Sequence, residues 1–328
     1  MMLIAFPGQG SQQVGMGKDI YDYLPDARKI FEEADDILGF SLSKLIFYGS
    51  QEELRITKNA QPALLVTCIA ILRFLEIRFE KKLHEFAHLL AGHSMGQYTA
   101  LCASQAISFK DALYLLNARA ELMNQAPPGS MLACLTTPLD DVLAVLEKAQ
   151  KYGTCCIANY NSNTQTILSG ETDAILVAES ELKVLKHKTV MLNVSGAFHS
   201  PLMQVAAIKF KEFIDKVEFH TPKIDIIDNV TGTLLESESV KETLIKHLTS
   251  PVRWMQTIDY FLKLQRSNLS QEASQTELQG NSKASTLMEI GPGSVLTNLA
   301  KRDNKALRLF NISSIDNVKS FASFNQLI

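Results

Sequence analysis

FAHLLAGHSMGQYTALCAS, residues 86–104, reads as a short apolar strand (Phe86–Ala91), a serine turn flanked by glycines (Gly92-His93-Ser94-Met95-Gly96) and the start of a helix (Gln97–Ser104). Two glycines around a serine permit a tight strand-to-helix turn that pushes the hydroxyl out past the sheet edge. That is the setting of a nucleophile elbow, and it places the chain in the α/β class. A five-residue match of this form also arises by chance in ordinary turns. The strand before it and the helix after it favour the nucleophile reading, with Ser94 as the candidate.

A serine hydroxyl is a poor nucleophile without an adjacent base. Among seven histidines, His199 has the best setting. It closes Val194-Ser195-Gly196-Ala197-Phe198-His199, follows an expected strand and sits at a helix entrance marked by Ser200 and Pro201. The positive end of a helix disfavours a protonated imidazole, and a general base must be neutral. The plainer alternative is a buried histidine bonded to backbone. His93, beside Ser94 on the turn, points its side chain elsewhere and reads as structural. His84-Glu85-Phe86-Ala87-His88 spells HExxH, a zinc motif only when both histidines share a helical face. Here it runs into the strand before the elbow, so no metal site is expected.

Further out, Met2–Phe6 reads as a strand ending in the turn Pro7-Gly8-Gln9-Gly10-Ser11-Gln12. That turn lacks the third glycine of a dinucleotide loop and the GK[ST] of a phosphate loop. A backbone N–H from it suits an oxyanion instead. Helices are expected over Pro25–Leu38 and Pro62–Phe79. From Gly129 to Val194 the units become smaller. Strands are expected at Met131–Leu135, Cys155–Asn159, Thr166–Ser169 and Thr189–Val194, with helices at Leu139–Lys151 and Thr172–Lys186. That βαββαβ order is the ferredoxin-like arrangement. The expected organisation is a large domain from 1–127 and 196–328, with a small ferredoxin-like domain inserted at 128–195. Leu202, Ala206, Phe210, Phe213 and Val217 share one helical face, and Thr286–Ile290 reads as a strand before the turn GPGS. The polar stretch Gln265–Ser285 reads as an exposed, mobile loop.

With 328 residues, 46% of them hydrophobic, the chain is long enough for a large core, and its net charge of −3 gives no general pull toward nucleic acid or anionic membrane. The N-terminus lacks the basic start and long apolar run of a secretion signal. The apolar run Ala63–Leu72 is interrupted by Arg73 and reads as too short for a membrane span. Five cysteines without CxxC spacing fit a reducing cytoplasm.

Taken together, FPGQGSQ (Phe6–Gln12), QPALL (Gln61–Leu65), GHSMG (Gly92–Gly96), Arg119 in NARAELM, NYNSNTQTILSG (Asn159–Gly170), GAFHSPLM (Gly196–Met203), SPVRW (Ser250–Trp254) and EIGPG (Glu289–Gly293) resemble the malonyl-CoA:acyl-carrier-protein transacylases of fatty-acid synthesis. They also resemble the related acyltransferase domains of polyketide synthases, and the resemblance covers nearly the whole chain. It implies an α/β-hydrolase-like large domain, Ser94 as acylated nucleophile and His199 as base. Backbone N–H groups of Gln9 and Met95 would form the oxyanion hole, and Arg119 would clamp the malonyl carboxylate. Alone, an arginine in an expected helix is a solvated residue; only the resemblance promotes it. Gln61, Asn159 and Gln165 would line the pocket, and the Arg253 carbonyl would orient the histidine in place of a third carboxylate. The implied partners are malonyl-CoA and an acyl-carrier protein, with no cofactor. The GAFH sequence is similar to the variant associated with malonyl rather than methylmalonyl selection. The chain departs from the family at Gln97, where glutamate is usual. Two rivals remain: an acyl hydrolase of the same fold, against which Arg119 argues, and a non-catalytic docking subunit, against which Ser94 with His199 argues.

Overall fold

The computed structural model describes residues 1–273 and 285–324, which form nine strands in two sheets. The strands are β1 (Met2–Phe6), β2 (Leu89–Gly92), β3 (Ser130–Leu135), β4 (Cys155–Ser162), β5 (Gln165–Gly170), β6 (Lys188–Met191), β7 (Ile226–Ile227), β8 (Thr286–Ile290) and β9 (Arg308–Ile312). One sheet is parallel throughout, in the order β7-β2-β1-β8-β9. The other is antiparallel, in the order β4-β5-β3-β6. The fold is therefore mixed α/β, with a parallel sheet and a separate antiparallel one.

The parallel strands are nearly continuous apolar runs because both faces are covered. Ile4, Phe6, Leu90, Met288 and Ile290 pack toward one helical layer, and Leu3, Ala5, Leu89, Ala91 and Leu287 toward the other. The smaller sheet has its own core, in which Leu132, Ile157 and Leu168 meet Val142, Val145, Ile175 and Leu182 from two helices. A parallel bridge between Asn159 and Val252 joins it to the larger body.

Helix Pro25–Leu38 and strands β1 and β8 fall where the sequence places them. Elsewhere the boundaries move. The helix expected from Pro62 begins at Thr57 and runs to Phe79, with Pro62 inside it. At 23 residues it is long and apolar enough to cross a membrane, contrary to the reading of Ala63–Leu72 as too short. Some 78% of its apolar window is buried in the protein, as in a core helix. The strand before the elbow is Leu89–Gly92, because Leu83–Glu85 closes a 3-10 turn first. The loop expected over Gln265–Ser285 is corrected in its first part. Helix Trp254–Ala273, anchored by buried Trp254, Ile258 and Phe261, carries through Gln265. Its polar residues extend a helix already started by packing. Residues 274–284 lie outside those described.

Candidate active site

The elbow forms because nothing larger than hydrogen fits its ends. A Cβ on Gly92 would lie 1.9 Å from the Gly96 carbonyl carbon, and one on Gly96 would lie 2.3 Å from the Phe6 oxygen. Between them Ser94 takes φ +52°, a left-handed conformation that a serine adopts only under constraint. Since β1 pairs in parallel with β2, Phe6 opposite Gly92, the Pro7–Gln12 turn leaves the sheet beside the elbow. His93 N–H donates to the Phe6 carbonyl at 2.9 Å.

His199, also at positive φ (+58°) and 4% exposed, brings Nε2 to 2.8 Å from Ser94 Oγ. Its Nδ1 faces two carbonyl oxygens, His247 O at 2.9 Å and Ser250 O at 3.2 Å. Carbonyls only accept, so the proton sits on Nδ1 and the Nε2 lone pair faces the serine. The orienting carbonyl expected from Arg253 is thus a correction. The Arg253 oxygen is occupied by Thr257 N–H and Oγ1 in the first helical turn, and His247 and Ser250 serve instead. Burial first, and then the charge of Arg119, push the His199 imidazole down to about 3. The imidazole is therefore unprotonated at physiological pH.

Arg119, from helix Phe109–Asn124, is 1% exposed. Its Nη1 donates to Gln61 Oε1 at 2.8 Å and its Nη2 to Ser94 Oγ at 3.2 Å, while its guanidinium carbon stands 5.7 Å from the centre of the Tyr98 ring. Nε has no partner, and no carboxylate lies within ion-pair distance among the described residues. Burial alone depresses its basicity. A buried cation without an anion costs several kcal/mol, on the order of what removing one partner of a buried pair does.

The backbone N–H groups of Gln9 and Met95 donate no hydrogen bond among the described residues, and they flank Ser94 on the two adjoining turns. Two free amides beside a nucleophile are what an oxyanion requires. All of this opens into a cavity of about 640 Å³ whose lining includes Gln9, Gln61, Met131, Asn159, Asn161 and Ile167. Gln165, expected in the lining, stands behind it and accepts from Asn161 Nδ2 at 3.2 Å. His93 is held by Asn161 through Nε2 at 2.9 Å, away from the serine. His84 and Glu85 lie in a 3-10 turn and His88 Nδ1 accepts from Met2 N–H, so HEFAH presents no two imidazoles on one helical face.

Sequence reasoning missed His247, Ser250, Tyr98 and Asn229. The first two act through main-chain carbonyls, which have no side-chain signature. Tyr98 and Asn229 become visible only once the elbow is folded.

The family model for the acyl transferase domain matches residues 4–269. The chain is 38% identical over 320 residues to the malonyl CoA-acyl carrier protein transacylase of Bacillus subtilis, covering 96% of this chain and 94% of that one. Its structure superposes on the acyl-carrier-protein-S-malonyltransferase of Bartonella henselae with a TM-score of 0.87 at 34% identity, over 98% of each chain. It also matches a malonyl-transacylase solved in complex with its type II polyketide acyl-carrier protein, with a TM-score of 0.85 at 29% identity over 99% of each. On these likenesses, the chain belongs to the malonyl-CoA:acyl-carrier-protein transacylase family of acyl transferases.

Proposed function

We propose that this chain transfers malonyl from malonyl-CoA to the phosphopantetheine thiol of an acyl-carrier protein, in fatty-acid or polyketide synthesis, through malonyl-Ser94. His199 Nε2 takes the Ser94 proton as Oγ attacks the thioester carbonyl. The resulting oxyanion is received by the Gln9 and Met95 amides. Collapse breaks the C–S bond, and His199 returns the proton to the departing coenzyme A thiolate. In the second half the carrier thiol gives its proton to His199, attacks the acyl-serine and restores the Ser94 hydroxyl. No metal or bound cofactor enters either step.

The observation that carries this reading is Arg119, a buried cation with no anion beside it among the described residues, within hydrogen-bond reach of the nucleophile. A planar fork of donors fits a carboxylate, and malonyl supplies one. Gln61 fixes the fork, and Asn159 borders the acyl chamber. A hydrolase of neutral acyl chains would have no use for such a cation. A docking subunit would have no use for the 2.8 Å contact between Ser94 and His199.

Within the same reading, residues 1–127 and 196–328 form an α/β-hydrolase-like domain, and 128–195 a ferredoxin-like one. The β4-β5-β3-β6 order, in which the insert's first and third strands are central, supports the second description. A cytoplasmic setting agrees with five free thiols. Intact-mass spectrometry after mixing with malonyl-CoA tests the function. One malonyl adduct should appear, leave on addition of a phosphopantetheinylated carrier protein, and be absent from Ser94→Ala. Adduct on another residue, or release to water alone, would overturn it.

A further inference from the structure

The elbow's strained serine is held from a third direction. β7 pairs in parallel with β2, Leu90 opposite Ile226 and Ala91 opposite Ile227, so the chain leaving β7 emerges beside the elbow. Two residues on stands Asn229, 1% exposed. Its Oδ1 accepts from Ser94 N–H at 2.8 Å, and its Nδ2 donates to the Gly92 carbonyl and, at 2.7 Å, to Gln97 Oε1. A main-chain N–H only donates and a carbonyl only accepts, so the two backbone partners force the amide's orientation. That orientation in turn forces Gln97 to present its oxygen, which leaves Gln97 Nε2 buried without a partner among the described residues.

The loop carrying Asn229 is itself braced. The Asp228 carboxylate accepts from Val230 N–H, Thr231 N–H and Thr231 Oγ1, and the Asp228 carbonyl accepts from Gly232 N–H. The Asn229 carbonyl accepts from Arg253 N–H at 3.0 Å, and Arg253 Nε donates to Val230 O at 2.8 Å. Arg253 closes the segment whose His247 and Ser250 carbonyls orient His199. One residue therefore touches both halves of the nucleophile–base pair, by side chain on the serine side and by main chain on the histidine side.

We propose that Asn229 is a positioning residue. Its side-chain amide holds Ser94 in the left-handed turn, and its carbonyl anchors the segment that aims His199, so that the 2.8 Å contact between Oγ and Nε2 is set before substrate arrives. Gln97 completes the clamp as an uncharged acceptor. Asn229 does not line the cavity and bonds neither Ser94 Oγ nor His199 Nε2, so its removal should slow the acyl step and leave malonyl-CoA binding alone. The inference rests on Ser94 being the acylated residue. If the native protein forms no adduct there, that reading fails; if the native protein does and the variants below behave as it does, this inference fails.

The test is single-turnover malonylation of the full chain, followed by intact mass and normalised to the folded fraction measured by near-ultraviolet dichroism. Asn229→Ala should lower the maximal rate about 10- to 100-fold, the scale of a displaced reacting group, with half-saturation by malonyl-CoA unchanged within about twofold. A merely structural role would instead lower stability while the folded fraction kept the native rate, and that result would overturn the proposal. Gln97→Leu tests the clamp where Asn229→Ala fails to fold. It should lower the maximal rate about 3- to 10-fold at unchanged half-saturation, since one of the amide's two acceptors remains. Gln97→Glu, which keeps an acceptor, should lose less than Gln97→Leu. An unchanged rate in Gln97→Leu, or equal losses in the two position-97 variants, rules the clamp out.

Discussion

The guanidinium of Arg119 is buried against an amide, a hydroxyl and an aromatic face, none of which carries a charge that answers its own. Pairing it with a substrate carboxylate would offset the cost of burying its charge. Arg119→Ala should therefore lower kcat/KM for malonyl-CoA by hundreds-fold or more, corresponding to about 3–5 kcal/mol for leaving a buried carboxylate unpaired. Acetyl-CoA has no carboxylate, so its transfer should hold steady or improve. Steady-state rates with both thioesters decide it, and an equal fall for the two would make Arg119 structural. At this scale the sequence reveals residues in proportion to their local signature. Ser94 stands between two glycines and His199 before a proline-marked helix entrance, and both lie where expected. Arg119 has no local mark of burial; its neighbours Gln61 and Tyr98 come from two other helices. The Arg253 carbonyl, which the resemblance implies for orienting His199, is taken up by the start of a helix, because main-chain acceptors follow the fold and not the side chain.

The elbow is an element whose shape is dictated by exclusion. Gly92→Ala would drive a methyl into the Gly96 backbone, which cannot yield without opening the turn. The variant should lose about 1–3 kcal/mol of stability, as overpacking does, together with nearly all malonylation. Gly39→Ala is the control. It sits at φ +72° with nothing within 4 Å of its Cβ, so it should carry only the backbone strain, about 1–2 kcal/mol, and retain malonylation. Denaturant unfolding alongside the adduct assay separates the two. Elements with strong periodicity or sharp ends were legible in the sequence: β1, β8 and helix Pro25–Leu38 match residue for residue. The start of helix Thr57–Phe79 was not, since proline suggests a first turn and here sits in the second. The helical part of Gln265–Ser285 was missed because polar composition describes exposure, not backbone shape.

Across the whole molecule, His199 and His247 are buried and His93 is half-buried, and desolvation disfavours the protonated form of each. Each has its folded pKa depressed, chiefly by burial, below the ordinary value near 6.5. The unfolded chain therefore takes up protons first as pH falls, so this contribution to stability is full above about 6.5 and is lost as pH falls through each depressed folded value, about 3 for His199. Each histidine contributes a slope of up to about 1.4 kcal/mol per pH unit. Asp228 and Glu289, raised by burial, act in the opposite sense and make the net slope shallower. Urea unfolding at pH 7.5 and pH 5 should show lower stability at pH 5; equal or greater stability there would contradict the buried, neutral imidazoles. The two-sheet organisation was legible from the shift to shorter units after Gly129. The parallel order was not, since β1 sits between β2 and β8, far away in sequence, and β7 is only two residues long. The cavity joins the two bodies unevenly. Serine, base and arginine all come from the side of the parallel sheet, whereas Met131, Asn159 and Ile167 enter from the antiparallel one. One wall of the chamber is thus carried by a stretch of chain that holds none of Ser94, His199 and Arg119, so substitutions in β3–β5 would reshape that wall while those three side chains stay where they are.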